Sequence, residues 1–325
     1  MRLGSLELLQ QIRLLGQEIE QQRFDAVFAT SLLNLGDLRA GLPSPMRMIP
    51  VAFYLHENQA AYPSRRIEGV EKEAQKTWDA QFALTNLTSC AAADMVLFNS
   101  RFNRHSFIEG IRALVAHSPD AELGSLIDRI ESNAQVAWPP VEVPEDLEPD
   151  RLERGINKPT LVVWPHRWEH DKGPDELLEI AMRLSEPLDL RWIILGESFR
   201  DIPPSMRQLK QSLAGRIEHW GYVPERCDYW SLLNKADWVL STADHEFFGI
   251  AVVEALFAGC LPWLPNRLSY PELLPTQAQG LAPTNPPACP SDLRREIAQH
   301  LEPARAQAAV ARLDDLMERM VQASQ

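Results

Sequence analysis

Short apolar segments that end on polar residues recur along the chain, and they limit its fold more than any other feature. They lie at 24–30, 48–54, 94–98, 160–164, 190–195, 217–221 and 237–241. Segments of this length, rich in β-branched and aromatic residues, are typical of buried strands. Helical patterns alternate with them, at 5–22, at 75–93 and from Pro174, where proline fits the first helical turn. This alternation predicts parallel α/β sheets with polar groups at the carboxyl ends of their strands.

The length and one irregular stretch predict two domains. The chain has 325 residues, which is too long for one ordinary core at roughly 100–200 residues per domain. Between about 137 and 160 the sequence is rich in proline and acidic residues, and it follows neither the helix nor the strand period. We therefore predict Rossmann-like domains at 1–145 and 155–325, the second ending in a helix.

Composition and charge narrow the class of protein. No apolar stretch reaches the ~20 residues of a membrane helix and the start does not resemble a signal peptide, so we expect a cytoplasmic protein without a membrane partner. The net charge of −13 gives no support to nucleic-acid binding. A nucleic acid would need a local basic patch, for which the first half offers Arg65, Arg66, Arg101, Arg104 and His105.

The polar loop after the segment at 160–164 has the residues of an anion site. Arg167 offers a fork of N–H donors to a diphosphate, Lys172 offers a point charge, and Gly173 lets the chain turn into the next helix. The alternative is an ordinary solvated loop, because basic residues are common in loops.

A second candidate follows the segment at 237–241. Gly249 and Ile250 are predicted to begin a helix, whose free N–H groups and dipole favour an anion. Glu246 precedes this helix and Glu254 lies in its second turn. Two acids beside a phosphate site suit a sugar nucleotide if they face hydroxyl groups. Glu254 could instead be an exposed helix residue, but its neighbours are apolar, so we expect it to have a partner.

His56 begins a third polar cluster, residues 56–59, after the segment at 48–54. A lone histidine is more often structural than catalytic. Four hydrogen-bonding side chains in a row after an apolar strand make a functional role a reasonable alternative.

The sequence resembles a known family at several motifs. The two acids Glu246 and Glu254, eight residues apart, and the basic loop resemble the donor site of retaining glycosyltransferases with the GT-B fold. More narrowly, motifs between about residues 24 and 275 resemble the tRNA-queuosine mannosyltransferase family. These are YLHENQ at 54–59, YP at 62–63, DMVLFNS at 94–100, WPHRWEHDK at 164–172 and YPE at 270–272.

The resemblance implies a fold, a reaction and a set of roles. It implies two Rossmann-like domains with parallel sheets facing a cleft, the first on the acceptor side and the second for the nucleotide sugar. Mannose would pass from GDP-mannose to queuosine in tRNA with retention, without a cofactor or a metal. Arg167 and Lys172 would neutralise the diphosphate, and Gly249 and Ile250 would give N–H groups to the phosphates. Glu246 would hold the hydroxyls of the sugar and Glu254 those of the ribose. His56 would face the reacting sugar, and Tyr222 and Val223 would contact the base.

The chain departs from the family at its start. The family has a strand, a Gly-rich turn and a helix before the position of residue 24, whereas this chain begins with a helix rich in Leu and Gln. We therefore expect an incomplete first domain, with an exposed sheet edge or face that promotes self-association.

Three alternatives remain open on the residues. One is another GT-B transferase with a different nucleotide sugar, such as UDP-glucose, and a small-molecule or glycan acceptor. Another is a catalytically silent homologue that binds nucleotide or tRNA. An epimerase of similar shape would need a further acid or base set that the sequence does not show.

Overall fold

The computed structural model describes residues 8–10, 24–31, 33–61, 72–116, 123–145, 147, 159–197, 201–284 and 292–324. The chain divides into two compact units, Met1–Trp138 with Ala309–Gln325, and Pro139–Ala308. Each unit contains one parallel sheet.

The sheet of the first unit has four strands in the order of the chain. They are β1 (Val27–Thr30), β2 (Val51–Leu55), β3 (Met95–Phe98) and β4 (Ala134–Val136). All three neighbouring pairs are parallel, so each crossover passes over a face of the sheet. The described helices are α1 (Leu35–Gly41), α2 (Ser44–Arg47), α3 (Lys72–Ala92), α4 (Arg101–Val115) and α5 (Gly124–Asn133).

Alternating side chains of β2 fill cores on the two faces of this sheet, as the strand period requires. Phe53 and Leu55 face one core, which also contains Phe107 of α4. Ala52 faces the other core, where it meets Leu316 and Met320 of the last helix, α11 (Ala306–Ala323). Both faces of β2 are therefore covered.

The sheet of the second unit has five parallel strands in the order β7-β6-β5-β8-β9. These are β5 (Thr160–Pro165), β6 (Leu190–Leu195), β7 (Ile217–Gly221), β8 (Trp238–Leu240) and β9 (Leu261–Trp263). The described helices are α6 (Pro174–Leu184), α7 (Pro204–Ser212), α8 (Arg226–Lys235), α9 (Ile250–Phe257) and α10 (Leu293–His300). Every residue of β5 is buried, which is typical of a central strand in a sheet covered by helices.

The strand and helix predictions are confirmed at most positions. The seven predicted strands are present, α6 begins at Pro174 and α9 begins at Ile250. The prediction missed the three-residue strands β4 and β9, because Gln135 interrupts the apolar run of the first and Pro262 lies within the second. Of the predicted helix at 5–22, residues 8–10 are helical and the others lie outside the described residues.

The end of the chain differs from the predicted domain boundaries. The prediction placed the whole tail in the second domain, whereas the contacts place Ala309–Gln325 with the first unit. The reason is the apolar stripe of α11, which includes Leu313 and Leu316 and packs against the first sheet.

The expectations about the start of the chain concern mostly residues 1–23, of which only 8–10 are described. Within the described part, β1 lies at one edge of the first sheet, and Phe28 on this strand is 44% exposed. Self-association through this region stays a prediction. None of the described helices is long and apolar enough to cross a membrane.

Candidate active site

The order in which strands are added to the second sheet reverses between β5 and β8. The chain builds outward from β5 through β6 to β7, and it then returns to add β8 on the other side of β5. In open α/β sheets, ligands bind at the carboxyl ends of the strands at such a switch point. The loops at 166–173 and 241–249 both leave the sheet here, and both were predicted from the sequence to hold an anion.

Lys172 joins the two loops. Its Nζ donates to the His245 carbonyl at 2.9 Å and to Glu246 Oε2 at 3.2 Å. Asp171 Oδ2 lies 3.3 Å from the same nitrogen. A lysine ammonium has three N–H donors, so each has an acceptor within reach. Lys172 is buried, and two carboxylates compensate its charge.

Gly173 allows the close approach of the two loops. Its φ of 64° lies in the left-handed region, and a Cβ at this position would lie 2.1 Å from the Thr242 carbonyl oxygen. Thr242 Oγ1 donates to the Lys172 carbonyl at 2.8 Å and accepts from Trp164 Nε1 at 2.9 Å. The glycine therefore permits a packed junction that a side chain would prevent.

Glu246 lies beside the start of α9. Its Oε1 accepts from the N–H groups of Phe247 at 3.1 Å and Phe248 at 3.4 Å. Gly249 has a φ of 89° and directly precedes Ile250, the first residue of the helix. The first N–H groups of a helix have no acceptor within it, which favours an anion at such a position. The predicted helix start is present, and anion binding there stays a prediction.

Glu254 is buried and has two partners on α8. Its Oε1 accepts from Arg226 Nη2 at 2.7 Å and its Oε2 accepts from the Tyr229 hydroxyl at 2.7 Å. The expectation that this acid has a partner is confirmed, and the alternative of an exposed helix residue is wrong. Burial, and then the nearby Glu254 carboxylate, raise the pKa of Tyr229 above its ordinary value, so its hydroxyl remains a donor at neutral pH.

Tyr270, from the YPE motif, supports the loop at 241–249 through a hydrogen bond at the start of that loop. Its hydroxyl forms a 2.6 Å hydrogen bond with Ser241 Oγ, and Ser269 Oγ donates to the Phe248 carbonyl at 3.1 Å. Burial, and then the charge of Glu246, raise the pKa of Tyr270. These contacts fix the loop that contains Glu246.

Two buried histidines near Lys172 are neutral. Burial, and then the Lys172 charge, lower the pKa of His166 to about 3. The same two causes lower the pKa of His245 to about 4, against a smaller opposing effect of Asp171. At neutral pH neither imidazole therefore adds a positive charge beside Lys172. Within the described residues no group of three or more His, Cys, Asp or Glu side chains could hold a metal ion.

Other residues predicted for the donor lie at the same edge of the second sheet. Tyr222, 61% exposed, and Val223, half-buried, follow β7. Arg167 is exposed after β5, and Ile250 is 47% exposed at the start of α9. The surface is therefore open to a ligand at these four positions.

The third polar cluster lies in the first unit, at the end of β2. Asn58 is fully buried, and its Nδ2 donates to Asn103 Oδ1 at 2.7 Å, so its function is structural. His56 is half-buried, and its Nδ1 lies 3.3 Å from Ser31 Oγ. The catalytic role of His56 stays a prediction.

The basic patch predicted for a nucleic acid is only partly described. Arg65 and Arg66 lie outside the described residues. Arg101 is exposed at the start of α4, whereas Arg104 donates to a backbone carbonyl of α5 at 3.0 Å. His105 pairs with an acid one turn further along α4 at 3.2 Å. Of the described members, Arg101 and His105 are exposed and Arg104 is half-buried.

The sequence did not indicate that Arg226 and Tyr229 belong to the site or that Tyr270 supports it. Arg226 and Tyr229 are three residues apart and therefore share a helix face. This spacing was the only signal in the sequence, and it does not indicate that the face meets an acid 25 residues further on.

Two family models match the chain. Residues 1–141 match the tRNA-queuosine alpha-mannosyltransferase N-terminal model, and residues 148–318, more than half of the chain, match the model of glycosyl transferases group 1. The tRNA-queuosine alpha-mannosyltransferase of Drosophila melanogaster is 37% identical over 261 residues, which cover 78% of this chain and 67% of that protein.

Solved structures share the architecture at low sequence identity. The UDP complex of Anabaena Alr3699/HepE is 17% identical with a TM-score of 0.56, over 98% of this chain and 77% of that chain. A UDP-forming alpha,alpha-trehalose-phosphate synthase from Burkholderia xenovorans is 16% identical with a TM-score of 0.53, over 99% of this chain and 76% of that chain. At these identities the likeness shows the fold alone.

The matches first define a class: the chain is a glycosyltransferase with the GT-B fold. The resemblance noted from the motifs is confirmed over both halves of the sequence. The chain belongs to the tRNA-queuosine alpha-mannosyltransferase family.

Proposed function

We propose that the protein transfers mannose from GDP-mannose to queuosine in tRNA, with retention at the anomeric carbon. The observation that supports this most is the junction at the β5–β8 switch point. There Lys172 contacts Glu246 within 3.2 Å, beside the start of α9. One place thus combines a cation, an anion-binding helix start and a carboxylate that could face sugar hydroxyls.

The residues of this junction have different roles in the reaction. As the bond between the anomeric carbon and the diphosphate oxygen breaks, negative charge develops on the leaving group. Arg167 and the first N–H groups of α9 stabilise that charge. Glu246 holds the hydroxyls of the sugar while positive charge develops on its ring.

The role of Lys172 follows from its contacts. Because His245, Glu246 and Asp171 take up its N–H groups, Lys172 can donate directly to a phosphate only by exchanging one of them. Its charge still acts on the diphosphate, and it orients Glu246. Arg167 is exposed, and it is therefore the first candidate for direct contact with a phosphate.

The acceptor would be met by the first unit. His56 faces the reacting sugar in this proposal, and Arg101 contributes to holding the tRNA backbone. The net charge of −13 makes such binding depend on a local patch and fall steeply with salt.

A panel of nucleotides tests the donor. We expect GDP and GDP-mannose to raise the melting temperature more than UDP, UDP-glucose or NAD. A ligand at 100 times its dissociation constant adds about 2.7 kcal/mol to the free energy of unfolding. Isothermal titration calorimetry gives the affinities directly.

Arg167→Ala is measured with the same nucleotides, because it removes an exposed guanidinium at the predicted diphosphate site. It should reduce the stabilisation by GDP, whereas Arg191→Ala, at the opposite ends of the strands, should not. A response to UDP compounds alone would contradict the proposed donor.

A further inference from the structure

The Glu254 carboxylate is held by two different donors from one helix face. Tyr229 is half-buried and neutral, and its hydroxyl lies 2.7 Å from Oε2. The Arg226 side chain is 59% exposed, and its Nη2 lies 2.7 Å from Oε1. One donor is therefore fixed by packing and the other lies at the surface.

The guanidinium of Arg226 is itself supported by aromatic rings. Its Cζ lies 5.0 Å from the ring centre of Tyr229 and 5.6 Å from that of Trp230. Such contacts hold a planar cation in place. Arg226 and Tyr229 thus form one assembly around the acid rather than two separate contacts.

These two bonds leave part of the carboxylate available. An ionised carboxylate has about four lone-pair positions, and the two donors of α8 occupy one on each oxygen. Among the described residues these are the donors to the carboxylate, which leaves a further acceptor position on each oxygen. Two adjacent hydroxyl groups, such as those of a ribose, match a pair of acceptors of this kind.

The position of α8 in the chain agrees with a nucleoside ligand. The loop at 221–224, which contains Tyr222 and Val223, directly precedes this helix, and Arg226 is its first residue. The predicted base site and Arg226, which contacts the acid that would bind the ribose, therefore lie on one short segment.

We infer that Tyr229 and Arg226 are positioning residues that orient the Glu254 carboxylate toward the ribose hydroxyl groups of the donor. This inference rests on the proposed function of the second unit as the donor site. Tyr229 sets the direction of the carboxylate, and Arg226 holds its other oxygen from the surface.

The test compares nucleotides that differ by one ribose hydroxyl. Affinities of GDP and 2′-deoxy-GDP are measured by calorimetry for the wild type and for Tyr229→Phe. The wild type should prefer GDP, and Tyr229→Phe should narrow that preference about five- to tenfold, which is the size of effect expected from the loss of one typical hydrogen bond. UDP and 2′-deoxy-UDP are measured in parallel.

Tyr54→Phe is the matched control, because it removes another tyrosine hydroxyl bond, the one from Tyr54 to the Ala137 carbonyl in the first unit. It should leave the preference for ribose unchanged. Arg226→Gln should raise the donor KM with little change in kcat, as expected for lost ground-state binding. Arg226→Lys should restore part of the loss, and Arg191→Gln, which breaks an ion pair with Glu218 at 2.6 Å, should have no effect.

Two results would overturn the inference. One is a wild type that binds ribose and deoxyribose nucleotides equally. The other is a preference for ribose that both Tyr229→Phe and Arg226→Gln leave unchanged, whether the affinity stays the same or falls equally for the two nucleotides. If the protein binds UDP and 2′-deoxy-UDP in place of GDP and 2′-deoxy-GDP, the proposed donor is wrong. The effect of the variants on the preference for UDP over 2′-deoxy-UDP would still test the roles of Tyr229 and Arg226.

Discussion

Lys172 and Glu254 show how far a single residue can be interpreted from sequence. The motifs indicated that both face a nucleotide sugar, and the apolar neighbours of Glu254 indicated that this acid needs a partner. Those partners come from other segments: His245 and Glu246 reach Lys172, and Arg226 reaches Glu254. Period and spacing describe neighbours within a helix or strand, so contacts between distant segments could not be predicted from them.

Replacing Glu246 with Gln should reduce sugar transfer much more than nucleotide affinity. The amide keeps the size of the side chain, but it loses the charge that pairs with Lys172 at 3.2 Å. Loss of one such stabilising group lowers kcat by about 10²–10³-fold. GDP lacks the sugar, so its affinity should change little, and calorimetry with a transfer assay measures both quantities.

The control for this variant is Glu218→Gln, which removes an acid from an ion pair near the amino ends of β6 and β7. It should leave transfer intact. If Glu246→Gln instead binds GDP poorly and transfers sugar at the normal rate, Glu246 serves the nucleotide and the proposed division of roles is wrong.

At the scale of elements, the two loops at the β5–β8 switch point are held together by backbone contacts. The N–H groups of Asp244 and His245 donate to the Asp171 carbonyl at 2.9 and 3.2 Å. Gly173 lies in the same junction and accommodates the Thr242 carbonyl. The candidate site is thus built on a junction between loops rather than on one loop.

Gly173→Ala should destabilise the protein. The added Cβ would lie 2.1 Å from the Thr242 oxygen, and a φ of 64° is unfavourable for alanine. We expect a loss of about 2 kcal/mol or more, which corresponds to a fall in melting temperature of roughly 4–8 °C. Differential scanning calorimetry with and without GDP measures the loss and its effect on binding.

Gly215→Ala is the matched control in the same unit, because a Cβ there would meet no atom within 4 Å. It should melt close to the wild type. Equal melting temperatures for the two variants would show that the junction adapts, and the close approach at Gly173 would then have no energetic importance.

The elements themselves were largely predictable. β5 and β6 are six-residue apolar strands, and Pro174 and Gly249 mark the starts of two helices. The order of the second sheet follows from none of these local signals. The switch point that makes the loops meet therefore became visible only with the strand pairing.

At the scale of the whole molecule, each unit repeats one plan, a parallel sheet covered by helices. The last helix follows the second unit in the sequence, but it packs against Ala52 and Leu97 of the first sheet. Sequence periodicity predicted this helix but not the sheet it would cover. Family membership extends over both units, so the proposed reaction belongs to the whole chain.

The most direct measurement is transfer of radiolabelled mannose from GDP-mannose to queuosine-containing tRNA by the whole chain. The same tRNA lacking queuosine and the Glu246→Gln variant serve as the two controls. We predict label in the queuosine-containing tRNA with the wild type, and only background in both controls. Equal labelling of the two tRNAs, or no labelling by a wild type that binds GDP-mannose, would contradict the proposed function.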